Sequence, residues 1–231
     1  MKMSMVSLGC DKNTVDSEMM LGLMNEKGFE YTDIDEEAEV MIINTCGFIQ
    51  SAKEESINAI LEAARLKEEG NLKALIVTGC LAQRYKDEII KEIPEVDALL
   101  GTSSFDKIVE TVEDVLGGEI KNEFLDLDRL PSISKKRKNS TGGYYAYLKI
   151  AEGCNKNCTY CIIPSLRGNY RSYPMEDLIA QAKDLAAQGI KELILVAQET
   201  TLYGVDLYGE KSLPKLLKEL AKVEGIEWIR I

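Results

Sequence analysis

The chain has 231 residues, of which 45% are hydrophobic and 29% charged, and its formal net charge is −11. This length and composition predict one large or two modest globular domains. No apolar run is long enough to span a bilayer, and the first residues lack the apolar core of a signal peptide, so we expect neither. We therefore predict a cytoplasmic protein with no membrane partner, in which the six cysteines stay reduced. Three disulfides, the alternative, suit a small secreted protein better.

The first half of the chain alternates short apolar segments with amphipathic ones. We predict strands over residues 3–8, 40–44, 72–78 and 98–101, and helices over residues 17–27, 51–68, 82–93 and 105–116. Continuous apolar strands that alternate with helices are typical of a parallel sheet covered on both faces. The predicted fold class is therefore α/β, with an N-terminal parallel-sheet domain over residues 1–120.

Three cysteines each follow one of these strands. Cys10, Cys46 and Cys80 come directly after the first, second and third predicted strands, and each has a neighbouring glycine that permits a tight turn. Because the carboxyl ends of parallel strands share one edge, where open α/β folds bind ligands, we expect these thiols to form one metal site. The alternative is three separate structural cysteines, which are common in protein cores.

A change of composition after residue 116 indicates a domain boundary. Residues 117–143 combine an acidic extended piece, Pro131, the basic run 135–138 and a Ser-Thr-Gly-Gly end, and we assign 121–143 as a linker. We interpret the basic run as solvated; a weak nucleic-acid contact is the alternative.

A second strand–helix series follows the linker over residues 144–231. We predict strands over residues 144–151, 192–197 and 226–231, and helices over residues 175–188 and 212–223. The last strand would leave an apolar sheet edge exposed where the chain stops, so we expect this domain to be incomplete.

The other three cysteines lie close together in one loop after the strand over residues 144–151. Cys154, Cys158 and Cys161 have no fourth cysteine nearby, and the chain has no histidine. Three thiolates leave one iron of a cubane iron–sulfur cluster open to bind a reactant. The alternative is a structural zinc site, which needs a fourth ligand.

The C-x3-C-x2-C spacing of this loop resembles the radical S-adenosylmethionine superfamily. Together with the first three cysteines, it makes the whole chain resemble the methylthiotransferases of that superfamily. The words that carry the resemblance are Leu8-Gly9-Cys10-Asp11-Lys12-Asn13, Asn44-Thr45-Cys46-Gly47-Phe48-Ile49, Thr78-Gly79-Cys80-Leu81 and Ile163-Pro164-Ser165-Leu166-Arg167-Gly168.

The resemblance implies fold, cofactors and activity. The second domain is then the first part of a radical S-adenosylmethionine partial (β/α) barrel, and the remaining barrel strands and a small C-terminal β-barrel lie outside this chain. These enzymes replace C–H with C–S–CH3 and use two 4Fe–4S clusters, an external electron donor, and S-adenosylmethionine as both methyl donor and radical source. The resemblance assigns the cysteines at 10, 46 and 80 to one cluster and those at 154, 158 and 161 to the other.

Two branches of the family differ in substrate: one modifies adenosine 37 of tRNA, the other an aspartate of a ribosomal small-subunit protein. The words at residues 7–13 and 197–204 look like the protein-modifying, RimO-type branch, although Asp11 and Glu199 replace its usual proline and aspartate. The acidic balance also suits a basic ribosomal protein, so we expect no nucleic acid as direct substrate. A non-catalytic iron–sulfur or zinc protein is the alternative from another class.

Further residues are candidate neighbours of the cofactors, while no catalytic residue is assigned. Tyr160 stands where the superfamily has an aromatic near the adenine, with packing as the alternative. The segment Gln198-Glu199-Thr200 ends a barrel strand and is expected near the methionine end of the cofactor. Arg167 is expected to pair with a carboxylate of cofactor or substrate, or alternatively with a structural one. Asn13 and Asn44 lie near the first trio or cap turns.

Overall fold

The computed structural model describes residues 1–133 and 137–231. The N-terminal half contains strands β1 (Lys2–Ser7), β2 (Glu30–Tyr31), β3 (Val40–Thr45), β4 (Ala74–Gly79) and β5 (Ala98–Leu100), and helices α1 (Asp11–Glu26), α2 (Gln50–Glu69), α3 (Cys80–Glu92) and α4 (Ile108–Leu116). The C-terminal half contains strands β6 (Tyr145–Lys149), β7 (Ala151–Glu152), β8 (Arg171–Ser172), β9 (Glu192–Val196) and β10 (Trp228–Arg230), and helices α5 (Ile163–Arg167), α6 (Met175–Ala187), α7 (Val205–Tyr208) and α8 (Leu213–Leu220).

The five N-terminal strands form one parallel sheet in the order β2-β1-β3-β4-β5. Alternate residues of β3 point to opposite faces, so Val40 and Ile42 join a core with α1 and α4, and Met41 and Ile43 join a core with α2 and α3. The predicted α/β class with a parallel sheet is confirmed. The strand order reverses between β1 and β3, and such a reversal opens a crevice at the carboxyl ends of the strands.

The C-terminal half forms a smaller parallel sheet in the order β10-β9-β6. Successive strands are neighbours and helices connect them, as in the opening arc of a (β/α) barrel. Helices α6 and α8 cover one face through residues such as Leu178 and Leu216. A separate antiparallel pair, β7 with β8, frames the cysteine loop.

Helix α1 differs most from its prediction. It begins at Asp11, directly after Cys10, rather than at residue 17. The missed turns carry Asn13 and Asp16, which are buried and make polar contacts. Because the buried positions of these turns are polar, the sequence there shows no apolar periodicity. The strands β2, β7 and β8 were also missed, because two-residue strands are too short to show an alternating pattern.

The interpretation of the basic run as solvated is wrong at Arg137. Its side chain is 2% exposed, and its guanidinium donates to Glu18 Oε2 on α1 at 2.6 Å and to the carbonyl of Tyr147 on β6 at 2.5 Å. A buried guanidinium needs such partners because desolvation is costly. Lys135 and Lys136 of the same run lie outside the described residues. The domain boundaries at residues 120 and 143 stay predictions.

Within the described part of the chain, no helix has the length and apolar character needed to cross a bilayer.

The hydrogen bond of Thr102 is one of several that join the two halves. The hydroxyl of Thr102, which follows β5, donates to the carbonyl of Leu166 in α5 at 2.5 Å, and both residues are buried. We expect Thr102→Val to lower the free energy of unfolding by about 1–3 kcal/mol, because the Leu166 carbonyl would be left buried without this donor. Denaturant titration followed by circular dichroism measures the change.

Thr111→Val is the matched control for this bond. Thr111 is equally buried, but its hydroxyl donates to Lys107 one turn back at 3.0 Å, where a helix carbonyl also has a backbone N–H partner. We expect a loss below about 1 kcal/mol there. Equal losses in the two variants would contradict a specific role for the Thr102 bond.

Candidate functional site

The first cysteine trio (Cys10, Cys46 and Cys80) lies at the carboxyl edge of the five-stranded sheet. Cys10 precedes α1, Cys46 follows β3, and Cys80 is the first residue of α3. Cys46 and Cys80 are buried, whereas Cys10 is exposed. Cys10 and Cys46 follow β1 and β3 and therefore flank the crevice between these strands. Parallel topology thus brings together residues that are far apart in sequence.

Two glycines show how closely the segments of this trio approach each other. A Cβ on Gly9, whose φ is +94°, would lie 2.7 Å from Cβ and 3.0 Å from Sγ of Cys46. A Cβ on Gly47 would lie 2.9 Å from the carbonyl oxygen of Cys80. Neither position has room for a side chain, so glycine is required for the approach.

Buried side-chain amides and a hydroxyl hold these segments in place. Asn13 donates to the carbonyls of Leu8 at 2.9 Å and Thr45 at 3.0 Å, and Asn44 donates to the carbonyl of Asn13 at 2.9 Å. The hydroxyl of Ser56 on α2 accepts from the N–H of Cys46 at 3.0 Å and lies 3.1 Å from its carbonyl. The two asparagines thus join loops rather than cap a single turn.

The surroundings of Cys80 shift the pKa of its thiol in opposite directions. Burial raises the pKa of the Cys80 thiol, and the neighbouring Cys10 and Cys46 also raise it, whereas the charge and hydrogen bond of Arg167 lower it. A soft cationic centre would stabilise the deprotonated sulfurs. The donor set of three thiols therefore fits an iron–sulfur cluster.

No three Cys, Asp or Glu side chains among the described residues converge as they would around a single metal ion. An iron–sulfur cubane is wider than one ion, so its thiolate ligands stand farther apart.

The second trio (Cys154, Cys158 and Cys161) lies in the loop between β7 and α5. Cys158 is exposed and the other two are half-buried. The N–H of Lys156 points at Sγ of Cys154 over 3.4 Å, and the N–H of Cys161 donates to the carbonyl of Cys158 at 3.0 Å. Backbone donors that face a sulfur stabilise a thiolate ligand. The loop is thus accessible and partly pre-shaped.

The residues predicted to lie near the second trio differ in their exposure to solvent. Tyr160 is 87% exposed, so it is not a packing aromatic, and its role at the cofactor stays a prediction. Gln198, Glu199 and Thr200 follow β9 and are half-buried. Glu199 is paired with Lys156 and accepts from the Thr201 hydroxyl at 2.5 Å, and these two partners lower its pKa to about 2. Glu199 therefore joins the end of β9 to the cysteine loop.

Arg167 does not lie free to receive a carboxylate of cofactor or substrate. It is 2% exposed, and its guanidinium donates to Glu152 Oε2 at 3.0 Å, to Asp16 Oδ2 at 3.2 Å and to Asn13 Oδ1 at 2.6 Å. The structure therefore contains the alternative that the sequence left open, in which Arg167 pairs with structural carboxylates. The planar fork of arginine matches these carboxylates, which explains its placement.

Sequence reasoning missed three charged residues that surround Arg167. Lys149 is buried and paired with both Asp16 and Glu152. Burial opposes ionisation of Glu152, but Lys149 and Arg167 outweigh it and lower the pKa of that carboxyl to about 2. The one available signal was Lys149, a lysine inside an otherwise apolar strand, because such a lysine is rarely buried without a partner. Asp16 had no signal of its own.

Two family descriptions match the chain in succession. Residues 2–101 match the uncharacterized protein family UPF0004, and residues 148–231 match the radical SAM superfamily. The second match covers the cysteine loop and the smaller sheet.

Curated relatives align along the whole chain. A protein of Lachnoclostridium phytofermentans named ribosomal protein uS12 methylthiotransferase RimO is 63% identical over 231 residues, and one of Acetivibrio thermocellus with the same name is 54% identical over 239 residues. Each alignment covers 100% of this chain and 52% of the relative. The chain therefore spans about half the length of these relatives.

Solved structures with a similar fold are also radical S-adenosylmethionine enzymes. The methyltransferase TsrM from Kitasatospora setae superposes with a TM-score of 0.60 over 94% of this chain and 50% of its own, at 14% identity. The cobalamin-dependent enzyme OxsB superposes with a TM-score of 0.62 over 98% of this chain and 38% of its own, also at 14% identity. At such low identity these likenesses show the fold alone.

Proposed function

Because the chain belongs to the methylthiotransferase family of radical S-adenosylmethionine enzymes, over the half of their length that it spans, we propose that the whole protein adds a methylthio group to the β-carbon of an aspartate in ribosomal protein uS12. The observation that carries the proposal is the presence of two cysteine trios on either side of one buried arginine. Arg167 donates to Asn13, whose side chain holds the loops of the first trio, and its helix α5 follows Cys161 of the second.

Each trio would hold one 4Fe–4S cluster with an iron left open. Cys10, Cys46 and Cys80 would hold the first cluster, and the loop cysteines would hold the second. When bound, the clusters and S-adenosylmethionine supply the carbon-centred radical, the sulfur and the methyl group that the side chains lack. Sulfur donors at both places fit such groups.

The chain's own residues position these groups. Asn13 and Asn44 hold the loops of the first trio, and the Lys156–Glu199 pair holds the second trio against the end of β9. Gln198 and Thr200 at the same strand end are proposed to face S-adenosylmethionine, with Tyr160 near its adenine. The exposed loop leaves room for a substrate to approach.

The partners and the compartment follow from the proposed chemistry. The substrate is ribosomal protein uS12, and an external donor supplies the electron for the radical. We place the protein in the cytoplasm, where ribosomes are assembled and a reducing environment would keep the six cysteines available as thiolate ligands. The net charge of −11 favours a basic protein over an RNA as substrate.

Mass spectrometry of both candidate substrates tests the proposal. Full-length protein, reconstituted with iron and sulfide without oxygen, is incubated with a uS12 peptide or with a tRNA anticodon stem-loop. We expect the peptide to gain a methylthio group and the RNA to stay unchanged. A peptide with asparagine in place of the target aspartate is the control. Modification of the RNA would indicate the tRNA enzyme, and failure to cleave S-adenosylmethionine would indicate a non-catalytic protein.

A further inference from the structure

Four buried charged side chains lie between the two cysteine trios. This charge quartet consists of Asp16, Lys149, Glu152 and Arg167, each no more than 4% exposed. Arg167 contacts both carboxylates, and so does Lys149. Two cations and two carboxylates therefore balance, as burial of four charges requires.

The quartet is built from segments that carry the cysteines. Asp16 lies on α1, which begins directly after Cys10, and Glu152 lies two residues before Cys154. Arg167 ends α5, the helix that follows Cys161 and packs against α3, which begins at Cys80. A shift of Asp16, Glu152 or Arg167 would therefore displace a segment next to one of these thiols.

Arg167 also reaches the polar contacts of the first trio. Its Nη2 donates to Asn13 at 2.6 Å, and the same Asn13 side chain donates to the carbonyls beside Gly9 and Cys46. One guanidinium thus connects the loops at residues 8 and 45 to Glu152 at the start of the second loop. Its fixed fork makes the contact directional, which a flexible ammonium does not.

Stability alone does not explain such a quartet. Replacement of a buried ion pair by apolar groups of the same volume is often neutral or stabilising, and in some proteins such pairs instead favour one arrangement over its alternatives. Lys149 pairs with Asp16 and Glu152, whereas Arg167 pairs with both and also donates to Asn13 beside the first trio. Arg167 is therefore the member of the quartet whose contacts extend to the loops of the first trio.

We infer that Arg167 is a positioning residue that sets the separation and orientation of the two cysteine trios, and so of the groups they hold. The inference rests on the proposed function for what those groups are. Transfer of sulfur to a substrate radical requires both groups at one substrate atom, so a shift of about 1 Å would lower transfer by about 100-fold. Cleavage of S-adenosylmethionine needs only the second trio and would continue.

A second buried pair supplies a matched control. Arg137 and Glu18 are as buried as the quartet and also join α1 to the second half of the chain. Arg137 also donates to the carbonyl of Tyr147 and to Gln181 Oε1, and Glu18 accepts from Ser140, so these contacts involve no cysteine. A change that acts only through stability would affect both arginines alike.

The test compares Arg167→Lys with Arg137→Lys in the reconstituted full-length protein. We expect Arg167→Lys to lower the ratio of methylthiolated uS12 peptide to 5′-deoxyadenosine by about 100-fold, and Arg137→Lys to leave it unchanged. Electron paramagnetic resonance of the reduced protein gives a readout that does not depend on turnover. We expect the magnetic interaction between the two clusters to change in Arg167→Lys alone.

A second variant covers the case in which Arg167→Lys fails to fold. Asp16→Asn with Arg167→Gln removes one charge of each sign, and Glu18→Gln with Arg137→Gln is its control. An unchanged ratio and unchanged magnetic interaction in the Arg167 variants would overturn the inference, and so would equal changes in the controls. If the wild type modifies no peptide, the proposed function fails, while the magnetic measurement still tests the positioning role.

Discussion

Substitution of Cys46 by alanine is expected to abolish methylthio transfer while cleavage of S-adenosylmethionine continues. Cys46 is a buried member of the first trio, between the loop at Gly9 and the start of α3. Loss of a second-shell partner of a metal site already costs 10- to 100-fold, so loss of a ligand should cost more than about 100-fold. Mass spectrometry of the uS12 peptide and chromatography of 5′-deoxyadenosine measure the two outcomes.

Cys158→Ala is the opposite variant and should remove both products. Cys158 belongs to the accessible loop of the second trio, which is proposed to bind S-adenosylmethionine. Iron and sulfide should fall by about half in either variant, because each removes one of two proposed clusters. Methylthio transfer by Cys46→Ala, or formation of 5′-deoxyadenosine by Cys158→Ala, would refute the assignment of that trio.

Gly153→Ala is expected to destabilise the protein strongly. Gly153 has φ +68°, and a Cβ there would lie 2.0 Å from the carbonyl oxygen of Asn169 and 2.5 Å from that of Gly168. These are backbone atoms, and the N–H of the next residue, Cys154, donates to Gly168 at 3.1 Å. The backbone must move, so we expect a loss of more than about 4 kcal/mol in the free energy of unfolding.

Gly189→Ala separates this clash from the strain of a positive φ. Gly189 has φ +93°, and nothing lies within 4 Å of a Cβ built there. We expect a loss of only about 1 kcal/mol, from backbone strain alone. Denaturant titration of both variants gives the comparison. A Gly153→Ala protein as stable as Gly189→Ala would show that the start of the cysteine loop is not held against residues 168–169.

The cysteine positions were predictable because they depend on local order. Each of Cys10, Cys46 and Cys80 follows an apolar run that could be recognised as a strand, and parallel topology then places all three at one edge. The loop trio needed only its spacing. The same reasoning placed Glu199 at the end of a strand, and the structure adds its pairing with Lys156.

Buried charges were harder to predict from the sequence. Arg137 stands in a run of lysines and arginine that resembles a solvated segment, yet it is buried against Glu18. For Arg167 the sequence left two partners open, a carboxylate of cofactor or substrate and a structural one, and the structure contains the structural pairs with Asp16 and Glu152. Asp16 and Glu18 come from the other half of the chain, so local pattern and composition carry no information about these partners.

The sequence by itself determined the α/β class, the parallel order of strand and helix, and the six thiols with their spacing, because these depend on hydrophobic period and on residues that are near each other in the chain. Only the tertiary structure decided how the two halves meet: α1 begins at Asp11 and turns Asp16 and Glu18 toward cations from the second half. The physical reason is that a charged side chain is buried only where packing supplies an opposite charge, and that partner is chosen by the fold as a whole.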